Sequence, residues 1–119
     1  MIEVLETFQI AIKQQGHLLP LLEHIQTRVN LICEQNTYQI IIKDREVFIL
    51  YDSVETPARS EIRGDLHAMK QLLTGEERLR ALERNGLLSI SAPIRTTLLL
   101  ESIFYLTKTQ DNIAKITNF

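Results

Sequence analysis

Residues 29–51 read VNLICEQNTYQIIIKDREVFILY, in which three apolar runs are separated by short polar breaks. The runs are rich in β-branched and aromatic side chains, which strands favour, and they cover residues 29–33, 38–42 and 47–51. Their spacing predicts an antiparallel meander of three strands. Ile41, Phe48 and Leu50 are apolar where a solvated face would be polar. We therefore expect helices, a partner or a ligand to cover at least part of the second face of the sheet.

Two helices are predicted before this segment. Apolar residues recur there at three- and four-residue steps, at Ile2, Leu5, Phe8 and Ile12. Gly16 follows them, so the pattern indicates an amphipathic helix that stops at this glycine. Pro20 can open a second, short helix, because proline at the first helical position loses no hydrogen bond. The apolar residues of segment 18–25 either pack this helix pair on the sheet or form one wall of a ligand cavity.

A fourth strand and a third helix are predicted after the meander. Residues 60–63, which follow a loop at 53–57, are expected to form a fourth, more exposed strand that ends at Gly64. Asp65 is a favourable N-cap for the next helix, and Gly75 is its expected stop. The apolar residues of that helix are Leu66, Met69, Leu72 and Leu73.

The remaining residues predict a helix, a strand and a final helix. A helix that contains Leu79 and Leu82 ends at residues 85–86, and Leu88 and Ile90 alternate with a serine as in a fifth strand. Pro93 starts the last helix, residues 94–106. Its apolar residues are Ile94, Leu98, Leu99, Leu100, Ile103, Phe104, Tyr105 and Leu106. A helix that is apolar nearly all round is buried on more than one side, so bound lipid, a partner chain or the N-terminal helices should cover the rest.

The composition is that of an ordinary globular protein. The 119 residues fit a single domain, residues 1–119, and 45% of them are hydrophobic and 24% charged. A formal net charge of −2 and the lack of tryptophan argue against nucleic acid as a partner. Arg78, Arg80 and Arg84 alternate with glutamates and indicate a solvated helix face.

The sequence contains no recognisable catalytic or metal-binding pattern. The three histidines lack the spacing of a metal site, and no glycine-rich phosphate loop or nucleophile signature occurs. Cys33 is expected to be a small buried hydrophobe. Glu101 and Ser102 lie in an apolar helix, where they either close a core hydrogen bond or orient a ligand head group. We predict no catalytic residue, no metal, no cofactor and no independent enzyme activity.

Sorting signals are not recognisable in the sequence either. The first residues lack the charged-then-apolar layout of a signal peptide. No run approaches the roughly 18 apolar residues of a membrane-spanning helix. We expect a cytoplasmic protein without a stable membrane anchor.

Short motifs in the second half of the chain follow a characteristic order. They are Ile62-Arg63-Gly64-Asp65-Leu66, Leu72-Leu73-Thr74-Gly75, Gly86-Leu87-Leu88-Ser89-Ile90-Ser91 and Leu98-Leu99-Leu100-Glu101-Ser102-Ile103-Phe104. Over residues 29–106 their order and spacing resemble the sterol carrier protein-2 family, with its strand–Gly–helix entry and its Gly-x-Leu-x-Ile strand. Residues 43–45 lack the Asp-Gly often seen in that turn, Arg59-Ser60 replaces a common acidic position, and Ala92 stands where glycine is frequent.

The resemblance implies an α+β fold, in which helices cover a five-stranded, largely antiparallel sheet and an apolar tunnel lies between them. Members of the family bind sterols, fatty acids or fatty acyl-CoA. The residues that the resemblance places on the cavity wall are Met69, Leu72, Leu73, Leu79, Leu82, Leu88, Ile90, Leu99, Ile103 and Phe104. Each of these residues either lines the cavity or simply fills the core.

The expected function is non-enzymatic binding or transfer of an apolar small molecule or lipid by a small stand-alone, bacterial-type member of this family. The last helix or segment 18–25 would act as a mobile lid, because both have surplus apolar surface. That same surface supports an alternative, in which the chain is a homodimeric interaction module or an accessory module that presents substrate to a separate enzyme.

Overall fold

The computed structural model describes residues 1–14, 19–51 and 58–117, with side chains described up to residue 107 except at positions 19 and 21. The predicted helix stop at Gly16, the apolar Leu18 and the predicted loop at 53–57 lie outside these residues. The elements are α1 (Ile2–Gln14), α2 (Leu19–Leu22), β1 (Thr27–Cys33), β2 (Asn36–Lys43), β3 (Glu46–Leu50), β4 (Ser60–Gly64), α3 (Leu66–Leu73), α4 (Leu79–Arg84), β5 (Leu88–Ser91) and α5 (Ile94–Thr117).

The strands form one open, five-stranded sheet in the order β3-β2-β1-β4-β5. The pairs β1–β2, β2–β3 and β4–β5 are antiparallel, and β1–β4 is parallel. The predicted α+β fold with a five-stranded, largely antiparallel sheet is therefore confirmed. The meander at residues 29–51 is also confirmed, since β1, β2 and β3 are consecutive neighbours.

The prediction that the fourth strand is more exposed than the others was wrong. Strand β4 lies between β1 and β5, and Ile62 at its centre has no solvent-exposed surface. The sequence of β4 is short and carries two charges, Glu61 and Arg63, which is typical of an exposed strand. Parallel pairing with β1, from Val29↔Ser60 to Cys33↔Gly64, places it inside the sheet instead.

The β2–β3 hairpin turns through two residues with left-handed backbone. Asp44 and Arg45 have φ of 54° and 65°, and the flanking residues Lys43 and Glu46 pair across the hairpin. Positive φ at both central positions is the geometry of a type I′ turn, which matches the twist of the strands it joins. Arg45 thus occupies the position at which Asp-Gly hairpins carry glycine. The turn keeps its type I′ geometry although residues 43–45 lack the Asp-Gly pair.

One face of the sheet and the helices share a single hydrophobic core. The buried residues alternate in β1, β3 and β4, and the strands contribute Val29, Leu31, Cys33, Ile40, Ile42, Ile49 and Ile62 to the core. In β2, Gln39 is also buried, although it lies between the core residues Tyr38 and Ile40. The helices contribute Leu5, Phe8 and Ile12 from α1, Met69, Leu72 and Leu73 from α3, Leu79 and Leu82 from α4, and Leu100, Ile103 and Phe104 from α5. The strand residues between the buried ones point to the opposite, outer face.

The outer face is less covered than the sequence suggested. Phe48 and Leu50 on the edge strand β3 remain 43% and 40% exposed, and Ile41 beside them is half-buried. The helical residues that pack on the sheet belong to the core cluster of the inner face. The helices that the structure describes therefore leave this apolar edge open to solvent.

Helix α5 differs from its prediction in length and in burial. It continues to Thr117 instead of ending near residue 106, because no glycine or proline follows Pro93 to interrupt it. Burial on more than one side was also wrong, since Ile94, Leu98 and Tyr105 are 62%, 43% and 42% exposed. These three residues share one face of the helix, opposite the face that enters the core.

Close backbone approach explains the glycine of the strand–Gly–helix motif. A Cβ at Gly64 would overlap Leu88 Cδ2 and would lie 3.1 Å from the Leu87 carbonyl oxygen. Gly64 and Leu88 are paired residues of β4 and β5. The missing side chain therefore lets Leu88 cross into the core at this point.

Asp65 begins α3 as predicted, since its carboxylate accepts a 2.8 Å hydrogen bond from the Ala68 amide. We expect Asp65→Ala to lower the free energy of unfolding by about 1 kcal/mol, because one amide of the first helical turn loses its acceptor. Urea denaturation measures the change. Asp65→Asn keeps an acceptor and should stay within about 0.5 kcal/mol of the wild type; an equal loss in both variants would contradict the capping role.

Candidate functional site

A pocket of about 270 Å³ opens between α1, α3 and α5. Its walls are formed by Glu3, Val4, Thr7, Phe8, Ala11, Leu73, Thr74 and Thr107. Phe8 and Leu73 are buried and form the apolar floor, whereas Glu3, Thr7 and Thr74 are exposed at the rim. The pocket thus connects the solvent to the hydrophobic core.

The threonine hydroxyls at the pocket donate hydrogen bonds to backbone carbonyls of their own helical segments. Thr7, Thr74 and Thr107 donate to the carbonyl oxygens of residues 3, 70 and 103, at 2.9, 2.7 and 2.8 Å. Each bond joins a hydroxyl to the carbonyl one helical turn earlier, and it leaves lone pairs on the hydroxyl oxygen. Among the described residues of the lining, Glu3 is the single charged one, and none is a lysine or arginine.

Two aromatic rings pack together below the pocket, where α1 meets α5. The centroids of Phe8 and Phe104 are 5.2 Å apart, with an interplanar angle of 46°. Both side chains are buried, at 3% and 2% exposure. Such tilted ring pairs add favourable contact beyond their buried area, so this pair links the two helices below the pocket.

The structure brings all of the sequence-predicted site residues into one core. Met69, Leu72, Leu73, Leu79, Leu82, Leu88, Ile103 and Phe104 are buried, and Ile90 and Leu99 pack against them partly exposed. Leu73 also borders the pocket, whereas the other nine do not. The ten residues that the resemblance named are therefore core side chains, and their role as a ligand-binding wall stays a prediction.

Sequence reasoning missed the contribution of α1. Thr7 and Ala11 lie four residues apart beside the apolar stripe that contains Phe8, so they share one face of the helix. Small side chains there leave space between α1 and its neighbours. The signal in the sequence that could have indicated this wall is the presence of small residues along the border of the apolar stripe. Thr107, the wall from α5, lies just beyond the predicted end of that helix.

Glu101 and Ser102 take part in local hydrogen bonds away from the pocket. The Glu101 carboxylate accepts from the Arg80 amide at 3.0 Å, which ties α5 to the start of α4. Ser102 is exposed, and its hydroxyl donates to the Leu98 carbonyl at 3.0 Å. Neither residue borders the pocket between α1, α3 and α5.

Two titratable side chains are perturbed by burial. Burial raises the pKa of the Cys33 thiol above its usual value, with a further contribution from the Glu34 carboxylate. Burial, followed by the Glu6 carboxylate, likewise raises the pKa of Tyr51. Cys33 is 4% exposed, as expected of a small buried hydrophobe, and its thiol stays protonated near neutral pH.

The described part of the chain offers no cluster of three or more histidine, cysteine, aspartate or glutamate side chains suited to a metal ion. It also contains no helix that is both long and apolar enough to cross a membrane.

Neither a known protein-family model nor a curated protein sequence matches the chain. Solved structures do match it. A UbiJ-SCP2 ubiquinone synthesis protein has a TM-score of 0.70 and 13% identity, with 86% of this chain and 85% of that chain covered. The sterol carrier protein domain 2 of Helicoverpa armigera has a TM-score of 0.71 and 10% identity, with 87% and 84% covered. Palmitated SCP2L2 from Aedes aegypti has a TM-score of 0.64 and 11% identity, with 86% and 91% covered.

These likenesses extend over most of each chain and identify the fold as that of sterol carrier protein 2. The sequence motifs around Gly64 and residues 86–91 therefore reflect a real structural resemblance. At identities of 10–13%, the comparisons describe the fold alone.

Proposed function

We propose that the protein binds an apolar ligand and transfers it without covalent chemistry. The observation that carries the proposal is the pocket between α1, α3 and α5, whose apolar floor of Phe8 and Leu73 leads into the core of a sterol-carrier-protein-2 fold. Pockets of this kind, apolar with a few polar groups at the rim, are the usual form of small-molecule sites.

In this proposal the ligand enters between α1 and α5 and then contacts the ten residues that the sequence analysis named. The open volume of about 270 Å³ accommodates part of a lipid, so deeper entry requires Phe8 and Phe104 to separate. Helix α5 is therefore the lid. Covering about 300 Å² of ligand contributes roughly 7 kcal/mol before the costs of association, which leads us to expect a micromolar dissociation constant.

The charges at the pocket favour a ligand whose buried part is uncharged. Glu3 is the charged residue of the lining, and no lysine or arginine from the described side chains is present there to neutralise a carboxylate. A buried, unpaired carboxylate is strongly disfavoured. A fatty acid or fatty acyl-CoA would bind with its tail inside and its charged end in solvent, whereas a sterol-like lipid could enter completely.

The proposal assigns no catalytic role to any residue. Glu3 is the one titratable group of the pocket lining and is exposed at the rim, where no second acid, base or nucleophile from the described residues accompanies it. Palmitate in the Aedes aegypti structure supports an apolar ligand for this fold. We place the protein in the cytoplasm, where a lone buried thiol such as Cys33 remains reduced.

A second candidate function is an interaction module, either a homodimer or an accessory module that presents an apolar substrate to a separate enzyme. It is favoured by the exposed face of α5, where Ile94, Leu98 and Tyr105 are apolar. The ubiquinone synthesis protein shows that the same fold occurs in a protein named for a biosynthetic role.

Native mass spectrometry of the freshly purified protein, followed by organic extraction and lipid analysis, tests the two candidates. One co-purifying lipid per chain is the expected result and would identify the ligand class. A stable dimer that carries no lipid and takes up no fluorescent fatty acid would replace the carrier function by the interaction module.

A further inference from the structure

A second concave site lies at one end of the sheet, where β1 begins, β2 ends and β4 begins. This cleft has a volume of about 470 Å³, and the residues that matter for its chemistry are Thr27, Arg28, Ile42, Lys43, Arg59 and Ser60. Within the described ranges, it shares no lining residue with the pocket between α1, α3 and α5.

The cleft exists because β1 and β4 do not begin together. Thr27 and Arg28 pair with Ile42 and Ile41 of β2, whereas the parallel ladder to β4 starts only at Val29↔Ser60. The first two residues of β1 thus have a strand neighbour on one side. Ala58 and Arg59, which precede β4, border the open space on the other side.

The lining of the cleft is cationic, although the whole chain has a formal net charge of −2. Arg28, Lys43 and Arg59 contribute three positive charges, and none of the residues that the structure describes along the cleft is acidic. Among the described residues, the ion pairs within 4 Å join Glu23 to His24 and Arg45, and Glu61 to Arg63. The three cations of the cleft therefore have no carboxylate partner in the described part of the chain.

The nearest acidic side chains by register do not neutralise these cations. Glu46 is the cross-strand partner of Lys43 but forms no ion pair with it, and Glu61, next to Ser60, is 3.5 Å from Arg63. Asp44 lies in the hairpin turn after Lys43, outside the cleft lining.

The structure holds Arg28 in position for a ligand. Its Nη1 donates to Gln39 Oε1 at 3.2 Å, and Gln39 Nε2 donates in turn to Asn30 Oδ1 at 2.9 Å. Gln39 is completely buried, so it gives the guanidinium a fixed support. A guanidinium has five N–H donors, and the Gln39 bond uses one of them, which leaves donors that can reach into the cleft.

We infer that this cleft binds a phosphate-bearing anion through Arg28, Lys43 and Arg59. An arginine fork matches the geometry of phosphate oxygens, and lysine adds a point charge. Three cations suit a group with more than one negative charge, such as a phosphate monoester or diphosphate, better than a single carboxylate. The inference is independent of the apolar ligand, because the two sites share no residue.

Titration of the ¹⁵N-labelled chain with inorganic pyrophosphate, followed by NMR, tests the site. Saturable shifts are expected at the backbone amides of Arg28, Arg59 and Ser60. The double variant Lys43→Gln/Arg59→Gln should weaken binding by about tenfold or more, since each neutralised residue removes a charge-assisted contact. Both side chains are exposed, and a thermal melt checks that the variant remains folded.

The matched control is Arg80→Gln/Arg84→Gln, which removes the same charge from two exposed side chains of α4, outside the cleft. It should change the affinity less than about twofold, because distant surface charges are screened by salt. Flotation with vesicles of phosphatidylcholine, alone or with added phosphatidic acid, whose head group is a phosphate monoester, distinguishes the source of the phosphate. Binding that requires phosphatidic acid and is lost in the cleft variant supports a lipid head group, and a localised response to pyrophosphate without vesicle binding supports a soluble phosphorylated ligand. Equal losses in the two double variants, or no saturable response to either probe, would overturn the inference.

Discussion

Ala11→Phe is expected to weaken binding of a fluorescent fatty acid by at least about tenfold, which corresponds to about 1.4 kcal/mol. Ala11 is a half-buried residue of α1 whose methyl group borders the pocket between α1, α3 and α5. A phenyl ring at this position would fill space that the ligand tail needs and would pack on Phe8 instead. Fluorescence titration of the purified variant measures the effect.

Ala81→Phe is the matched control for this variant. Ala81 is also a half-buried alanine in a helix, α4, but it does not border the pocket. Its affinity for the same probe should remain within about twofold of the wild type, a difference of about 0.4 kcal/mol. If Ala11→Phe binds the probe as tightly as Ala81→Phe does, the ligand does not enter between α1 and α5.

Phe104→Ala is expected to lower the free energy of unfolding by about 3–5 kcal/mol. The ring is 2% exposed and packs at 5.2 Å on Phe8, so truncation removes buried contacts and leaves a cavity between α5 and α1. Total stabilities of single domains are about 5–15 kcal/mol, so the loss is a large fraction of the whole. Urea denaturation followed by circular dichroism measures it.

Leu98→Ala provides the comparison on the same helix. Leu98 is 43% exposed on the face of α5 opposite the core, and its truncation should cost less than about 1 kcal/mol. A loss at Leu98 as large as that at Phe104 would mean that the exposed face of α5 is covered in solution, which would favour the homodimer.

Local features of the fold were predictable because neighbours in sequence determine them. The Asp65 cap depends on an amide three residues away. The helix end at residues 85–86 depends on Gly86, whose φ of 75° suits glycine. The three runs between residues 29 and 51 became adjacent antiparallel strands, because short connections leave few other arrangements.

Features that depend on distant segments were predicted less well. The interior position of β4 follows from parallel pairing with β1, about thirty residues earlier in the chain. Burial of α5 depends on which of its faces meets α1 and the sheet, and an apolar composition on several faces does not reveal this. The site shows the same limit, because Thr7 and Ala11 acquire their role only when α1 packs beside Leu73 and Thr107.

By itself, the sequence determined the type and order of the elements, the turns that join neighbouring strands and most of the side chains that form the core. Periodicity, capping and turn residues encode these features over a few residues, and burial of apolar side chains selects the core. Only the tertiary structure decided where space remains between the elements. Both concave sites, the pocket at Phe8 and Leu73 and the cationic cleft at Arg28 and Arg59, are formed by segments that are far apart in the chain. Their shapes depend on the distances and angles between the packed helices and strands.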